Sequence, residues 1–199
     1  MQGKLILFEG CEFVGKSTQI EILARTLREL GHKIITTKEP GGTDAGKALR
    51  KKLLEEKNAP HKELALFLKD RTIHFAQVVI PALREGKIVI CDRSSPSTIA
   101  YQHHGRGIAL EKIIEPDKKA RQGINFNLVI LLDGDPKKMF ARKEKETTFE
   151  KEAPDFHQRV SEGFLAQARQ DPVRWRIFDA SRTKEEIARD ILDEVKKIV

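Results

Sequence analysis

The sequence predicts an α/β fold in which a five-stranded parallel sheet is flanked by helices on both faces. Five short apolar segments alternate with longer segments whose apolar residues recur at helical spacing. Such alternation is typical of parallel sheets, because each crossover helix returns the chain to the same edge. A glycine-rich loop also joins the first apolar segment to the first helix. At 199 residues, we expect a single domain, residues 1–199, with one short mobile lid.

The amino-terminal half follows this alternation closely. After a strand at residues 5–8, a helix with a regular apolar face ends at Gly31. The pattern then predicts, in order, a strand at 33–37, a helix at 45–54, a long helix at 61–84 and a strand at 87–91.

The carboxyl-terminal half continues with shorter elements. It is predicted to contain helices at 95–103 and 110–121, a strand at 128–132, a helix starting at Pro136, a helix at 155–170 and a strand at 174–178. Thr183 and Glu186 have the spacing of a capping box for the last helix. Residues 142–154 are rich in Lys, Glu and Thr, which predicts the mobile lid.

Charge and cysteine content narrow the class of protein. The net charge of +7 fits either a well-solvated basic surface or an attraction for polyphosphates. There is no recognisable nucleic-acid-binding module and no long apolar span, so we expect neither nucleic acid nor membrane as a partner. Two cysteines without metal-ligand spacing predict buried thiols in a reducing, cytoplasmic compartment.

The glycine-rich loop has the spacing of a P-loop, which binds nucleoside triphosphates. Its backbone N–H groups and the following helix terminus face the phosphates, Lys16 reaches the terminal ones, and Ser17 can bind Mg²⁺. The predicted lid begins with the basic residues Arg142, Lys143 and Lys145, and we expect it to close over the triphosphate. The alternative is a flexible, solvated loop without this role. The predicted triphosphate contacts are Gly10, Cys11, Glu12, Phe13, Val14, Gly15, Lys16, Ser17, Thr18 and Arg142.

Asp92 and Arg93 follow a buried strand, at the sheet edge where the P-loop should lie. We expect Asp92 to hold Mg²⁺ with Ser17, and Arg93 to bind a second phosphate through its forked donors. Lys16, Asp92 and Arg93 are therefore the predicted catalytic group. The alternative is a surface ion pair at a strand end.

Two helical segments could form a base and sugar pocket. Phe67, Arg71 and Phe75 are spaced by four, so an arginine lies between two phenylalanines on one helix face. It could read a base edge, or its head could extend to water. Residues 97–102 are polar and aromatic, whereas His103 and His104 are expected to be solvated.

Taken together, these motifs resemble the thymidylate kinases, P-loop enzymes that phosphorylate dTMP with MgATP. The resemblance runs in order through nearly the whole chain. It rests on the P-loop, Glu39-Pro40-Gly41-Gly42-Thr43, Leu66-Phe67 with Arg71, Asp92-Arg93, Ser97-Thr98, Ala100-Tyr101-Gln102, Gly105-Arg106-Gly107 and Leu131-Leu132-Asp133.

The resemblance implies a P-loop kinase fold, the reaction ATP + dTMP to ADP + dTDP, Mg²⁺ as cofactor and a homodimer. Phe67 would stack on thymine, Arg71 and Gln102 would face its polar edge, and Arg93 would bind the acceptor phosphate. The full set of implied substrate contacts is Glu12 at the 3′-hydroxyl, Tyr101 at the sugar, Glu39, Arg50, Phe67, Arg71, Arg93, Thr98 and Gln102. Alternatives are a kinase for another monophosphate and a non-catalytic nucleotide-binding relative.

The chain departs from the family pattern at several positions. Thr148 stands where the lid of such enzymes usually supplies an arginine, just before Phe149-Glu150. Arg142, Lys143 or Lys145 would have to replace it. The other departures are Lys38, His103-His104, Asp117 and Arg121 in place of Asn and Thr, and Phe126-Asn127 in place of Pro-Asp.

Overall fold

The computed structural model of the protein describes residues 3–140 and 147–199. Five strands form one sheet in the order β2-β3-β1-β4-β5, and all four neighbouring pairs are parallel. The predicted five-stranded parallel sheet is therefore confirmed. The strands are β1 (Lys4–Glu9), β2 (Ile34–Lys38), β3 (Ile88–Asp92), β4 (Leu128–Asp133) and β5 (Trp175–Asp179).

The central strand β1 is buried on both of its faces. Every residue from Leu5 to Glu9 is buried, as expected for a strand between two covered sheet faces. Phe8 of β1 pairs in register with Asp92 of β3, so the P-loop and Asp92 begin at the same sheet edge. Parallel pairing therefore brings the predicted phosphate-binding residues together.

Nine α-helices and two π-helical segments surround the sheet in the described residues. They are α1 (Lys16–Glu29), α2 (Asp44–Glu55), α3 (Pro60–His74), the π-helical Phe75–Val79, α4 (Ile80–Arg84), α5 (Ser95–Thr98), the π-helical Ile99–Gly105, α6 (Glu111–Ala120), α7 (Pro136–Phe140), α8 (Pro154–Gln170) and α9 (Lys184–Lys196). Thr183 and Glu186 form the predicted capping box of α9. Both cysteines are free and buried, as expected.

The two π-helical segments correct two predicted helices. The expected helix at 61–84 is interrupted at Phe75–Val79, and most of the expected helix at 95–103 is π-helical and runs on to Gly105. A π-turn inserts one residue into the helical ladder and shifts the side chains that follow, which apolar spacing does not reveal. Phe75 consequently belongs to the main core, 1% exposed, rather than to a base pocket.

The mobile lid at 142–154 stays a prediction, and the structure describes only residues 147–154 of it. Residues 142–146, including Arg142, Lys143 and Lys145, lie outside the described residues. Phe149 is 5% exposed and belongs to the main core. Thr148 donates from its backbone N–H to the carbonyl of Leu54 (2.9 Å) and from its hydroxyl to that of Leu53 (3.2 Å). The last carbonyls of a helix have no partner within the helix, so those of Leu53 and Leu54 are free to accept from Thr148. The two hydrogen bonds attach the segment around Thr148 to the end of α2.

Across the described residues, no helix combines the length and apolarity needed to cross a membrane.

The start of the P-loop depends on a glycine with a left-handed backbone. Gly10 has φ 132°, and a Cβ there would collide with the backbone carbonyl oxygen of Leu132 in β4. Gly123 also has positive φ (73°), but a Cβ there would meet nothing within 4 Å. The two glycines share the backbone requirement and differ in the space around them.

We expect Gly10→Ala to lower the free energy of unfolding by roughly 3 kcal/mol, because backbone strain and overpacking add. The matched Gly123→Ala change should cost about 1 kcal/mol, from backbone strain alone. Urea denaturation of both variants measures the difference. Equal losses would contradict the role given to Leu132.

Candidate functional site

A cavity of about 610 Å³ lies at the carboxyl ends of β1, β2 and β3. It brings together most of the predicted site residues: Glu12, Phe13, Gly15, Lys16, Ser17, Thr18, Glu39, Arg50, Phe67, Arg71, Asp92, Arg93, Thr98, Tyr101 and Gln102. Gly10, Cys11 and Val14 belong to the loop but do not line the cavity. Arg142 lies outside the described residues. The two predicted halves of the site thus share one cavity.

The P-loop is shaped to receive an anion. Phe13 (φ 62°) and Gly15 (φ 92°) have left-handed backbones, which curve the loop in front of α1. Gly15 is the N-cap of α1 and supplies no side-chain cap, so the first N–H groups of the helix remain available. Lys16 donates from Nζ to the carbonyls of Gly10 (3.1 Å) and Cys11 (2.7 Å).

The electrostatic surroundings of Lys16 weaken its hold on its proton. Burial, together with the nearby positive charge of Arg93, lowers the pKa of Lys16 to about 8, although Asp92 and Glu12 oppose this change. A polyanion beside the ammonium would favour its charged form. The loop is therefore suited to a ligand that carries several negative charges.

Arg93 extends from the end of β3 into the cavity. Its backbone is left-handed (φ 66°), which is uncommon for a residue other than glycine. The guanidinium donates to Ser97 Oγ (3.1 Å) and to Glu12 Oε1 (3.3 Å), and lies 5.2 Å from the centre of the Tyr101 ring. These partners hold a fixed positive charge beside the P-loop.

Glu12 remains ionised although it is buried. Burial would raise its pKa, but the charges of Arg93 and Lys16 and a hydrogen bond from Tyr101 together hold the pKa of Glu12 below its usual value. The Tyr101 hydroxyl donates to Glu12 Oε1 at 2.5 Å. The carboxylate therefore links the P-loop to the wall that carries Tyr101.

Arg71 is the largest fully buried side chain, 1% exposed. It donates from Nε to Glu39 Oε2 (2.8 Å) and from Nη1 to Asp117 Oδ1 (2.6 Å). The alternative in which its head extends to water is therefore wrong. Glu39 is also contacted by His74 Nδ1 (2.7 Å) and by the Ser94 hydroxyl (3.1 Å). These two carboxylates engage only two of the five N–H donors of a guanidinium.

Aromatic rings form the apolar wall of the cavity. The ring centres of Phe67 and Phe149 are 6.0 Å apart, and those of Tyr101 and Phe149 are 5.7 Å apart. Phe149 thus packs between the two rings for which nucleoside contacts are predicted. Nothing in the sequence pattern indicated this role for Phe149.

The expectation that His103 and His104 are solvated is wrong. Both are half-buried, because the π-helical segment that carries them packs against α8. His103 Nδ1 lies 2.7 Å from the carbonyl oxygen of Ile108, and His104 packs against Gly163. They serve this packing rather than the cavity.

Two buried glutamates near the site were not among the predicted site residues. Glu9 accepts hydrogen bonds from the Ser94 N–H (2.8 Å) and the Ser97 hydroxyl (2.5 Å), beneath Arg93. Its signal was a carboxyl at the end of an apolar strand. Glu63 accepts from Gln102 Nε2 (2.8 Å). Its signal was its position four residues before Phe67, on the helix face of Arg71.

Asp92 and Ser17 fit a divalent cation. Asp92 Oδ1 is buried and has no hydrogen-bond partner in the described residues. Ser17 lines the same cavity, and both residues also line a smaller adjoining cavity. Carboxylate and hydroxyl oxygens suit Mg²⁺, which commonly binds one or two protein groups together with phosphate oxygens. Within residues 3–140 and 147–199, no cluster of three acidic, histidine or cysteine ligands occurs.

Comparison with known proteins agrees with the observed fold. A family model described as thymidylate kinase matches residues 8–191. The thymidylate kinase of Pelotomaculum thermopropionicum is 38% identical, over 100% of this chain and 95% of that protein. That of Trichlorobacter lovleyi is 41% identical, over 96% and 95%. The crystal structure of thymidylate kinase from Ehrlichia chaffeensis has a TM-score of 0.83 and 28% identity, covering 97% of this chain and 98% of that one.

Glu9 offers a test of the buried electrostatics under Arg93. Burial raises the pKa of Glu9 to about 7, although Arg93 and the hydrogen bonds from Ser97 and Ser94 act against this rise. The folded protein therefore binds this proton more tightly than the unfolded chain does. Between pH 4.5 and 7, stability should fall as pH rises, and for one such group the fall is roughly 3 kcal/mol.

We expect Glu9→Gln to remove this part of the pH dependence, so that the variant gains stability relative to the parent protein between pH 5 and pH 8. Urea denaturation of both proteins at several pH values measures this difference in the free energy of unfolding. Glu29→Gln, on an exposed part of α1, is the control and should leave the pH dependence unchanged. The same pH profile for parent and Glu9→Gln would refute the assignment.

Proposed function

The chain belongs to the thymidylate kinase family, and we propose that its cavity is the place where the γ-phosphoryl group of ATP passes to dTMP. The reaction yields ADP and dTDP. One observation carries the proposal: the P-loop with Lys16 and the buried wall with Phe67 and Arg71 line a single cavity, and Arg93 lies with them. Donor and acceptor can therefore meet end to end.

We assign the ATP site to the P-loop. The free N–H groups at the start of α1 and the ammonium of Lys16 would bind the phosphates. Lys16 now donates to two loop carbonyls, so it is already held above the loop and would exchange these partners for phosphate oxygens. The acceptor phosphate of dTMP is an anion, and no general base is needed. Alignment and charge neutralisation account for the catalysis.

We assign the acceptor site to the opposite wall. Arg93 would bind the dTMP phosphate, and Glu12 with Tyr101 would meet the sugar. Phe67 would stack on the base, while Arg71 and Gln102 would face its polar edge. Glu39 holds Arg71 by the hydrogen bond described above, so we regard it as a positioning residue. Thr98 and Arg50 complete the predicted acceptor contacts, and both line the cavity.

Mg²⁺ would be held by Asp92 and Ser17, whose oxygens fit it. When bound, the cation supplies positive charge to the phosphate oxygens of ATP. On the same family resemblance, we propose a homodimer that works in the cytoplasm.

The lid remains the least conventional part of the site. Thr148, at the position of the usual lid arginine, donates to the end of α2 and does not line the cavity. We propose that Arg142 takes over the contact with the transferring phosphate.

A panel of monophosphates tests the proposed function. We expect the protein to phosphorylate dTMP with a higher kcat/KM than dUMP, dCMP or UMP in a coupled assay of ADP release. Lys16→Ala should lower kcat by at least about 100-fold while the fold is kept, because a preorganised charge is lost. Lys47→Ala, on the exposed face of α2, is the control and should retain full activity. Near-normal turnover by Lys16→Ala would contradict the assignment.

Separate alanine variants of the three lid cations test the lid. We expect Arg142→Ala to lower kcat about 100-fold, because a forked cation on the transferring phosphate stabilises developing charge. Lys143→Ala and Lys145→Ala should each lower kcat less than tenfold. Single-turnover measurements at saturating dTMP follow the chemical step directly. A larger loss in either lysine variant would assign the contact to that lysine instead.

A further inference from the structure

Gln102 carries a donor and an acceptor on the same carboxamide, and its surroundings decide which one a ligand meets. The side chain is 1% exposed and lines the cavity, on the wall that we assign to dTMP. Its Nε2 donates to Glu63 Oε1 at 2.8 Å. Its Oε1 is buried and has no hydrogen-bond partner among the residues that the structure describes. An unpaired buried acceptor is costly, and a ligand N–H would satisfy it.

The partner of Gln102 is a carboxylate that accepts hydrogen bonds only. Glu63 is 3% exposed and receives two N–H groups of Arg106, from Nε to Oε1 and from Nη2 to Oε2, both at 3.2 Å. In this forked contact both carboxylate oxygens of Glu63 act as acceptors. An ionised carboxylate cannot donate, so the NH₂ end of Gln102 must face it. The carbonyl end is therefore the one left for a ligand.

We propose that Glu63 is a positioning residue that sets base specificity by fixing the carboxamide of Gln102. This inference rests on the proposed function and deepens it. With its orientation fixed, Gln102 offers an acceptor and Arg71 beside it offers donors. A base edge that pairs with both needs an N–H next to a carbonyl oxygen. Thymine and uracil have this edge, with N3–H and O4, whereas cytosine has an acceptor at N3 and an amino group at position 4.

Without the carboxylate, nothing in this contact distinguishes the two orientations of the carboxamide. A flipped Gln102 would present its NH₂ group and could donate to N3 of cytosine. Loss of the Glu63 carboxylate should therefore raise kcat/KM for dCMP relative to that for dTMP. It should leave kcat/KM for dUMP relative to that for dTMP unchanged. A general loosening of the pocket would change both ratios together.

The test compares kcat/KM for dTMP, dUMP and dCMP in the full-length protein. We expect Glu63→Met to lower the dTMP-to-dCMP ratio at least tenfold, the scale of one hydrogen-bonded base contact. The dTMP-to-dUMP ratio should change less than twofold. Glu152→Gln is the matched control, because Glu152 accepts from the same Arg106 (2.6 Å) without a hydrogen bond to Gln102. It should leave both ratios unchanged.

A second variant keeps the proposal testable if Glu63→Met folds poorly. Glu63→Gln keeps the size of the side chain, but its carboxamide can face Gln102 with either its oxygen or its NH₂ group, so the orientation of Gln102 is no longer fixed. We expect Glu63→Gln to lower the dTMP-to-dCMP ratio at least threefold and to change the dTMP-to-dUMP ratio less than twofold, with thermal melting as the check on folding. An unchanged dTMP-to-dCMP ratio in folded Glu63→Gln would overturn the proposal.

The remaining outcomes separate this inference from the proposed function. An unchanged dTMP-to-dCMP ratio in Glu63→Met, or an equal fall in both ratios, would overturn the role of Glu63 while kinase activity on dTMP stands. A parent protein that phosphorylates none of the three monophosphates would overturn the proposed function, and this inference with it.

Discussion

Burial of charged side chains at the carboxyl end of the sheet is the constraint on which the site depends. A buried charge without a partner is costly, and the guanidinium groups of Arg71 and Arg93 are both paired with carboxylates. Arg71 finds them on two other parts of the chain, Glu39 at the end of β2 and Asp117 in α6. Arg93 finds Glu12 in the P-loop. These ion pairs join the elements that form the cavity. The same contacts therefore orient the arginine side chains and hold the walls of the cavity together.

These contacts also fix two positive charges in the cavity. Lys16 is held by two carbonyls and Arg93 by a hydroxyl and a carboxylate at 3.3 Å. Neither cation has to be brought in from solvent when a nucleotide binds. The protein pays for holding them in advance through the cost of burial, which is visible in the lowered pKa of Lys16. Preorganised positive charge stabilises the transition state of phosphoryl transfer most effectively where water is excluded.

Local signals allowed most of the fold and most of the residues that line the cavity to be predicted. Apolar spacing identified the strands, and the capping box of Thr183 depends on neighbours only three residues away. The contact of Glu63 with Gln102 joins residues 39 positions apart, and that of Arg71 with Asp117 joins residues 46 apart. Such pairs depend on how helices pack, which no spacing within one helix reveals. The π-helical turns shift side chains in the same unpredicted way.

Asp117 and Arg121 show why a departure from a family pattern has to be judged in the structure. Each alone would change the charge beside Arg71, but Asp117 Oδ2 accepts from Arg121 Nε at 2.8 Å, so the two charges offset each other. Asp117 Oδ1 accepts from both Arg71 and the Ser95 hydroxyl (2.9 Å). The exchange of a neutral pair for an ion pair therefore leaves the net charge around Arg71 unchanged and adds an anchor for it. Two departures that look like drift in the sequence thus compensate each other in the structure.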